Sequence, residues 1–514
     1  MNGARALIDG LVDAGVKVCF ANPGTSEMHL VEAIDEVSGL RPVLCLFEGV
    51  CTGAADGYGR MRGFPAMTLL HLGAGLGNGI ANLHNARRAA TPLINVVGDH
   101  AVHHVPYDAP LTADIEAVAR PVSAWVRTAA SAAGLGGDAW DAVAESLAPR
   151  PDPGGRIATL IVPADCAWGP SRRAAPRPLP QSPRPFADDA VTAAAALVNA
   201  DTVLLLDGNA LGENGLAAAG RIAAQTGCRV FTSTFPARVE AGPGVYAAAR
   251  MPYFPEQVME TLAGAKSLVL AGAASPVSFF AYRNLPSDLV PDGCRVVRLN
   301  ERHEDGAGAL AALAEALGAG AAAGPADAAR PEIPEGPLST RGVSQILAAL
   351  APQNCIVASD SGGGGAAFPA LQRCVRHTWL HLTGGAIGQG GPAALGAAIA
   401  CPERTVFALL GDGGAMYTNQ YLWTAARARA RVISVIYSNR QYGILDVEYR
   451  RLGINDVGSR AASLFDLSGP DLDWVALAKA QGVPGARAET CAAFAAALRE
   501  ALAATGPYLI EAAV

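Results

Sequence analysis

The sequence predicts an α/β protein of three domains, each built on a doubly wound parallel sheet. Its 514 residues are too many for one compact core. Two stretches, 168–186 and 318–337, are rich in Pro, Arg, Gly and Ala without an apolar period, which is typical of connectors. Elsewhere short runs of Val, Leu and Ile alternate with longer helical stretches, as in parallel sheets covered on both faces. The predicted domains are 1–167, 187–317 and 338–514.

Each predicted strand is a short apolar run, and the N-terminal residues predict an amphipathic helix ahead of the first. In the first domain the strands are 18–21, 43–47, 67–71, 94–97 and 158–162. In the second they are 203–206, 229–232, 268–271 and 295–299, and in the third 355–358, 406–410, 432–437 and 508–511. In such folds ligands bind where strands end and helices begin.

The composition excludes several classes of protein. Hydrophobic residues make up 51% of the chain and charged residues 17%, which excludes a disordered protein. The 39 basic and 46 acidic residues give a net charge of −7, so we expect no nucleic-acid surface. No apolar run approaches the roughly 18 residues of a membrane span. The ten cysteines lack C-x-x-C spacing, and the first residues lack a signal-peptide pattern. We therefore expect a cytoplasmic protein without a membrane segment.

The most informative stretch follows the predicted strand 406–410. Gly411-Asp412-Gly413 comes directly after it, a helix is predicted from about Tyr417, and the strand 432–437 ends in Ser438-Asn439. The 24 residues between Gly413 and Ser438 make one helix and one strand, so Asn439 should return beside Asp412. A carboxylate, an amide oxygen and a backbone carbonyl suit Mg²⁺. The alternative is an ordinary turn followed by a surface asparagine.

A second candidate is Glu48, which directly follows the predicted strand 43–47. An ionised carboxylate at the end of so apolar a strand loses hydration unless a partner satisfies it. Taken alone, a glutamate turned to water would be the simpler interpretation.

Three stretches give Glu48 a context: ANPGTSEMHLVEAI, FEGVCTGAADGYGR and LLHLGAGLGNGIANLHNARRAATPLINVVGD. In this order they resemble the N-terminal domain of thiamine diphosphate-dependent decarboxylases and acetohydroxyacid synthases. The stretch from GDG to Ser438-Asn439 resembles the cofactor motif of that family, with Ser438 in place of the first of two asparagines. The resemblance covers essentially the whole chain. It implies a pyrimidine-binding, a central and a diphosphate-binding domain.

The resemblance also implies roles for individual residues. Asp412, Asn439 and the backbone carbonyl of Gln441 would bind Mg²⁺. Glu48 would hydrogen-bond N1′ of the aminopyrimidine, so that a cofactor nitrogen removes the C2 proton. Gly385 would offer its carbonyl to the aminopyrimidine, and Ile387 would bend the cofactor. The other expected cofactor contacts are Ser361, Gly362, Gly363, Gly411, Gly413, Gly414, Ala415, Tyr442 and Gly443.

The resemblance further implies an oligomer. Glu48 and Asp412 lie in different predicted domains and must meet across one cofactor. In this family the cofactor lies between the pyrimidine domain of one subunit and the diphosphate domain of another. A homodimer is therefore the smallest expected active unit, and a homotetramer is the usual assembly.

Within the family, three details favour benzoylformate decarboxylase. ANPGT places the Thr25 hydroxyl where that enzyme has a serine, His71 falls on one of its catalytic histidines, and YSNRQYGIL follows its pattern. A histidine packed at a strand end is the alternative for His71.

Two departures bear on the substrate. The stretch SPVSFFAYRN has no histidine where that enzyme has its second, although Tyr282 and Arg283 are near. The histidine pair of pyruvate decarboxylases should fall near Pro110-Leu111, and His103-His104 comes earlier. A pocket poor in proton donors would favour carboligation over simple decarboxylation.

The leading hypothesis is a 2-oxoacid decarboxylase or carboligase that uses thiamine diphosphate and Mg²⁺. An acetolactate synthase-type enzyme is the alternative. Such enzymes usually also bind FAD, which the irregular stretch 207–212 does not favour. A nicotinamide-dependent dehydrogenase would need a glycine fingerprint that we do not find. A non-catalytic relative would be expected to lose Glu48, Asp412 or Asn439.

Overall fold

The computed structural model describes residues 1–148, 155–181, 183–321 and 328–514. Its strands form three sheets with six, five and seven members. All neighbouring strands are parallel except one pair at the edge of the third sheet. The predicted fold class is confirmed. Among the described residues no helix is long and apolar enough to cross a membrane.

The first sheet is drawn from the N-terminal third of the chain. Its strands are β1 (Val18–Asn22), β2 (Arg41–Leu44), β3 (Ala66–Leu70), β4 (Leu93–Asp99), β5 (Trp125–Thr128) and β6 (Ile157–Pro163). Their order is β2-β1-β3-β4-β6-β5. The helices of this third are α1 (Gly3–Asp13), α2 (Met28–Glu36), α3 (Glu48–Arg62), α4 (Leu72–Arg88), α5 (Ile115–Ala119), α6 (Leu135–Leu147) and α7 (Ala164–Trp168). Single 3₁₀ turns lie at Thr25–Glu27, Val105–Tyr107 and Ala132–Gly134.

The central segment forms the second sheet. Its strands are β7 (Thr202–Leu206), β8 (Arg229–Thr232), β9 (Val239–Ala241), β10 (Ala249–Arg250), β11 (Ser267–Ala271) and β12 (Arg295–Asn300). The order is β10-β8-β7-β11-β12, and β9 leaves this sheet to join the third. The helices are α8 (Asp188–Ala195), α9 (Glu213–Thr226), α10 (Pro255–Leu262) and α11 (Gly306–Ala316), with a 3₁₀ turn at Gly208–Leu211.

The C-terminal segment forms the third sheet. Its strands are β13 (Cys355–Ser359), β14 (His377–His381), β15 (Val406–Gly411), β16 (Val432–Ser438), β17 (Gly485–Ala488) and β18 (Tyr508–Ala513). The order is β17-β18-β16-β15-β13-β14-β9. The helices are α12 (Thr340–Leu350), α13 (Gly362–Gly365), α14 (Phe368–Gln372), α15 (Gly390–Ala400), α16 (Asp412–Met416), α17 (Tyr421–Ala428), α18 (Gly443–Arg451), α19 (Ser459–Ala462), α20 (Trp474–Ala480) and α21 (Cys491–Ala503).

The two predicted connectors contain only isolated bridges in their described parts, and α7 ends where the first one begins. Residue 182 of the first connector and residues 322–327 of the second lie outside the described residues. We therefore propose the boundaries 1–167, 187–317 and 338–514, with β9 as the one strand that crosses between sheets.

Two predicted elements near the candidate site are wrong in their limits. The strand predicted at 43–47 ends at Leu44, so Glu48 is not at a strand end but in the first turn of α3. In place of the one helix predicted from about Tyr417 there are two, α16 directly after the extended residue Gly411 and α17 from Tyr421. An apolar run marks a buried segment but does not separate the strand from the turn and helix that follow it.

Helix α3 packs against α15 and joins the first and third segments. A Cβ on Gly57 would lie 2.0 Å from the backbone oxygen of Ala393, so the two helices meet at backbone distance. In the same interface Asp56 pairs with Arg60 at 2.7 Å, with both side chains buried. Arg60 also donates to the backbone oxygen of His381 at 2.7 Å. This buried network fixes α3 against the turn that follows β14.

Candidate active site

A C-terminal cluster of candidate residues lies at one edge of the third sheet. Strands β13, β15 and β16 are parallel neighbours there, with Ser359 paired to Leu409 and Gly411 to Tyr437. The carboxyl ends of such strands meet at one edge, so the residues after them come together. The cluster consists of residues 360–363, 384–390, 411–415 and 439–443.

Asp412 is the buried carboxylate of this cluster, with 3% of the residue exposed. Its Oδ1 accepts from the backbone N–H of Gly413 at 2.8 Å and its Oδ2 from that of Arg440 at 2.6 Å. The backbone of Arg440 is left-handed, with φ of 56°. Burial raises the pKa of Asp412, against the backbone N–H groups that lower it. The strand ends of β15 and β16 are thus joined through this carboxylate, as the sequence predicts.

Asn439 and Gln441 are exposed beside Asp412. The amide oxygen of Asn439 accepts from the backbone N–H of Gln441 at 3.3 Å. Gln441 also bridges to Asp466, through hydrogen bonds that use the carbonyl of Arg440 and the N–H of Tyr442. The Gln441 carbonyl is outside this bridge. Asn439 and Gln441 line a cavity of about 510 Å³.

The turn between β14 and α15 packs onto the same cluster. A Cβ on Gly414 would lie 3.5 Å from the Cβ of Ile387. The carboxylate of Asp360, directly after β13, accepts from the backbone N–H of Gly388 at 3.1 Å and of Gly390 at 2.9 Å. Burial raises the pKa of Asp360 to about 6, and these N–H groups oppose the rise. Its Oδ1 is buried without a hydrogen-bond partner among the described residues.

The remaining predicted contacts fall in the same place. Ser361 accepts from the N–H of Gly364 at 2.8 Å and begins α13, which carries Gly362 and Gly363. Ala415 is buried in α16, the ring of Tyr442 lies against Gly413, and Gly443 begins α18.

An N-terminal cluster lies at the carboxyl edge of the first sheet and contains Glu48. This residue opens α3 and is 7% exposed. Its Oε2 accepts from the Asn78 amide at 3.0 Å. A Cβ on Gly75 would lie 3.2 Å from its Oε1. The first turn of a 15-residue helix favours a negative charge.

The N-terminal cluster also contains His71, the residue before α4. Its Nδ1 lies 2.8 Å from Oε2 of Glu27 and 3.2 Å from the hydroxyl of Ser26. Thr25 is exposed, and its hydroxyl makes none of the hydrogen bonds found among the described residues. Of the two hydroxyls in this turn, the structure brings that of Ser26 to His71. Thr25 as a catalytic group stays a prediction.

One aromatic ring of the central segment lies against the C-terminal cluster. A Cβ on Gly385 would lie 3.0 Å from the ring of Phe279. Phe279 packs against its neighbours Phe235, Tyr253 and Phe280, with ring centroids 4.8–5.8 Å apart. The stretch SPVSFFAYRN therefore presents an apolar aromatic surface where the sequence predicts a missing histidine.

Tyr282 of this stretch makes its hydrogen bond to a residue outside the C-terminal cluster. Its hydroxyl donates to Glu448 on α18 at 3.0 Å, and Arg451 lies 4.7 Å from its ring centroid. Burial raises the pKa of Tyr282, and its bond to Glu448 raises it further. The phenol therefore acts as a donor that holds the central segment to α18.

His103 and His104 follow β4 and are both exposed. The ring of His104 packs on His100 and Tyr107, with centroids 5.3 and 5.9 Å apart. Pro110 and Leu111 lie further along the same loop. Among the contacts of the described residues none joins these groups to Glu48 or His71.

The structure thus forms two clusters. Within the described parts of the chain, no hydrogen bond links the N-terminal cluster of Thr25, Ser26, Glu27, Glu48, His71 and Asn78 to the metal candidates Asp412, Asn439 and Gln441. Nor do any three His, Cys, Asp or Glu side chains of these parts converge as a metal site. A cation at Asp412 would therefore rely on neutral oxygens and on a bound ligand.

Sequence reasoning missed Glu27, Asn78, Asp360 and Phe279. The spacing of Gly24 and Glu27 is that of a capping box, which signals a turn rather than a site. Asp360 directly follows an apolar run, and this position at a predicted strand end could have marked it as a candidate site residue. No sequence pattern distinguishes Asn78 or Phe279 from their neighbours.

Comparison with known families identifies the class of protein that this fold and these clusters define. A model of the thiamine pyrophosphate (thiamine diphosphate) enzyme N-terminal TPP binding domain matches residues 1–118, and one of the C-terminal TPP binding domain matches 362–512. The chain belongs to the thiamine diphosphate-dependent enzymes. It carries both cofactor-binding domains of that family.

Two relatives of known sequence resemble this chain over nearly its whole length. The chain is 50% identical to a putative acetolactate synthase large subunit of Mycobacterium tuberculosis, over 100% of this chain and 99% of that protein. It is 29% identical to benzoylformate decarboxylase of Pseudomonas aeruginosa, over 97% and 96% of the two chains. The fold is shared with the thiamine diphosphate-dependent 4-hydroxybenzoylformate decarboxylase of Rhodococcus jostii, with a TM-score of 0.85, 23% identity, and 100% and 99% coverage.

Proposed function

We propose that this chain is a Mg²⁺-dependent 2-oxoacid decarboxylase or carboligase of the benzoylformate decarboxylase type. The observation that carries the proposal is the C-terminal cluster. There Asp412 joins the ends of β15 and β16, and the turn with Gly385 and Ile387 packs onto Gly414.

The residues fit a magnesium diphosphate group. Asp412 offers a buried carboxylate, Asn439 an amide oxygen and Gln441 a carbonyl outside the bridge to Asp466. Hard oxygen donors of this kind are what Mg²⁺ takes when phosphate oxygens complete its shell. Ser361 and the glycines of 362–363 and 411–414 would leave room for the diphosphate.

Bound thiamine diphosphate would supply the electron sink that a 2-oxoacid needs to lose CO₂. The chain would supply orientation and proton transfer. Glu48, held by Asn78, would fix the aminopyrimidine by a hydrogen bond to N1′ and would stabilise the protonated form of that nitrogen. His71 would move a proton at the substrate through the ring nitrogen that Glu27 does not hold.

We further propose that the site is completed by a second copy of the chain in a homodimer, with a homotetramer as the full assembly. Large apolar side chains are exposed beside both clusters: Leu46 is 49% exposed two residues before Glu48, and Tyr417 is 56% exposed just after α16. Exposed apolar groups at the edges of both half-sites support a surface covered by a partner.

Two observations favour different substrates and reactions. The aromatic wall of Phe279 and its neighbours supports a bulky or aromatic 2-oxoacid. The 50% identical relative supports an acetolactate synthase-type carboligation instead.

A substrate screen tests the proposal and separates the candidates. The enzyme would be loaded with Mg²⁺ and thiamine diphosphate and offered pyruvate, branched 2-oxoacids and benzoylformate, with CO₂, aldehyde and acyloin followed separately. We expect CO₂ release from at least one 2-oxoacid, absent in Glu48→Gln. Aldehyde would indicate simple decarboxylation, and acyloin or acetolactate would indicate carboligation. No CO₂ from any 2-oxoacid by the fully loaded enzyme would contradict the proposal.

A further inference from the structure

We propose that Glu27 is the positioning residue of His71. Its buried carboxylate holds the Nδ1–H of the imidazole and so leaves Nε2 as the nitrogen that works at the substrate. This inference rests on the proposed function for the role of His71 in turnover, but the hydrogen-bond arrangement can be tested without turnover.

The Glu27 carboxylate is surrounded by donors. Glu27 is 0% exposed. Its Oε2 accepts from the N–H of Gly24 at 2.7 Å and faces Nδ1 of His71 at 2.8 Å, and its Oε1 accepts from the Ser26 hydroxyl at 2.7 Å. Among the described residues its only ion-pair partner is His71. An ionised carboxylate only accepts, so the nitrogen that faces it must carry a proton.

The chain leaves space for this pair at two glycines. A Cβ on Gly24 would lie 2.3 Å from Nδ1 of His71, and a Cβ on Gly98 would lie 1.8 Å from Oε1 of Glu27. Gly24 has φ of −112°, which other residues adopt, so it is needed for room and not for its backbone conformation. Ends of β1, β3 and β4 are thus shaped to bring this carboxylate and this imidazole together.

The rest of the ring faces outward. The side chain of His71 is 22% exposed, and its Nε2 makes no hydrogen bond within the described residues. The next residue, Leu72, is left-handed with φ of 49° and buried, a strained turn that places His71 between β3 and α4. One ring nitrogen is therefore held by Glu27, and the other makes no hydrogen bond within the described residues of a partly exposed side chain. A second group that holds one nitrogen of a catalytic histidine sets which nitrogen reacts.

The decisive variant is Glu27→Leu, which removes both acceptor oxygens, so that nothing at this position holds the Nδ1–H and the freed Ser26 hydroxyl can donate to Nδ1. We expect the neutral ring to switch from the Nδ1–H to the Nε2–H tautomer, read from ¹⁵N-histidine solid-state spectra assigned by comparison with His71→Ala. We expect kcat to fall by ~10²-fold or more, with the C2-proton exchange of bound cofactor unchanged. Glu27→Asp, which keeps the charge, should restore part of kcat.

The matched control is Glu32→Leu on α2. It removes an exposed carboxylate that also faces a histidine, His29, at 3.7 Å, and it should alter neither the His71 signals nor kcat. An unchanged tautomer in Glu27→Leu, or full turnover with a switched tautomer, would overturn the inference. A fall in kcat with the original tautomer and a lower Tm would also overturn it, since Glu27 would then only cap its turn. If the wild type turns over no 2-oxoacid, the proposed function fails. The tautomer measurement still shows whether Glu27 holds the Nδ1–H of His71.

Discussion

The two clusters at the candidate site differ in whether the backbone or the side chains make their contacts. In the C-terminal cluster most contacts involve the backbone: Asp412 and Asp360 accept backbone N–H groups, and glycines supply the surface. In the N-terminal cluster side chains hold side chains, as Asn78 holds Glu48 and Glu27 holds His71. Backbone sites suit a ligand that must be anchored, and side-chain sites suit groups that move protons. The comparison predicts that variants of the first lose binding and variants of the second lose chemistry.

The largest effect is expected in the C-terminal cluster. Asp412→Ala should abolish retention of thiamine diphosphate, because a phosphate-bridging cation loses its only charged protein ligand. Isothermal titration with Mg²⁺ and the cofactor measures it. Asp201→Ala is the control, since it removes an exposed carboxylate paired with Lys266 at 2.6 Å in the central segment. Undiminished affinity in Asp412→Ala would remove the metal assignment.

In the N-terminal cluster, Glu48→Gln should leave cofactor affinity and Tm near those of the wild type but slow C2-proton exchange by orders of magnitude. An amide cannot stabilise a protonated N1′ as a carboxylate does. Deuterium exchange at C2 of the bound cofactor measures the rate. A wild-type rate would mean that Glu48 is only a helix N-terminal carboxylate and that the comparison fails on this side.

His71→Ala should act one step later than Glu48→Gln. We expect normal C2 exchange and turnover of any accepted 2-oxoacid slower by ~10²-fold or more, as for a lost general acid or base. His29→Ala, at a half-buried histidine of α2, is the control. If kcat holds while Tm falls, His71 packs the strand end and does no chemistry.

A smaller effect is expected from Asp360, which titrates inside the C-terminal cluster. Its pKa is raised from 3.8 to about 6 by burial, so the folded state binds this proton more tightly than the unfolded state. Stability of the cofactor-free protein should therefore fall as pH rises from about 4 to about 6 and change no further above it. Asp360→Asn should remove this part of the pH dependence. Thermal unfolding of both proteins across that range measures it, and parallel curves would exclude the titration.

In the backbone-built cluster the sequence predicts the approach of Asp412 and Asn439 but not the part of Asp360. In the side-chain-built cluster it predicts Glu48 and His71 as candidates but not the residues that hold them. Parallel strands fix where their ends meet, so the spacing from Asp412 to Asn439 predicts their approach. No such rule relates Glu27 to His71, 44 residues apart. The predicted end of a strand is wrong where an apolar run continues into a turn, as it does before Glu48. The sequence does not predict β5, β9, β10 and β17, which are short, polar or at sheet edges, or β14, whose first and last residues are histidines.

The central claim is that one active site joins the N-terminal cluster of one chain to the C-terminal cluster of another, and complementation tests it most directly. Glu48→Gln and Asp412→Ala, each inactive alone, would be co-expressed with different tags and the mixed oligomer purified. In a mixed dimer one site carries both changes and the other carries neither, so we expect about half of the wild-type activity from it. If each site is formed within one chain, both sites of the mixed dimer carry one change. A purified mixed oligomer with no more activity than the single variants would contradict the account.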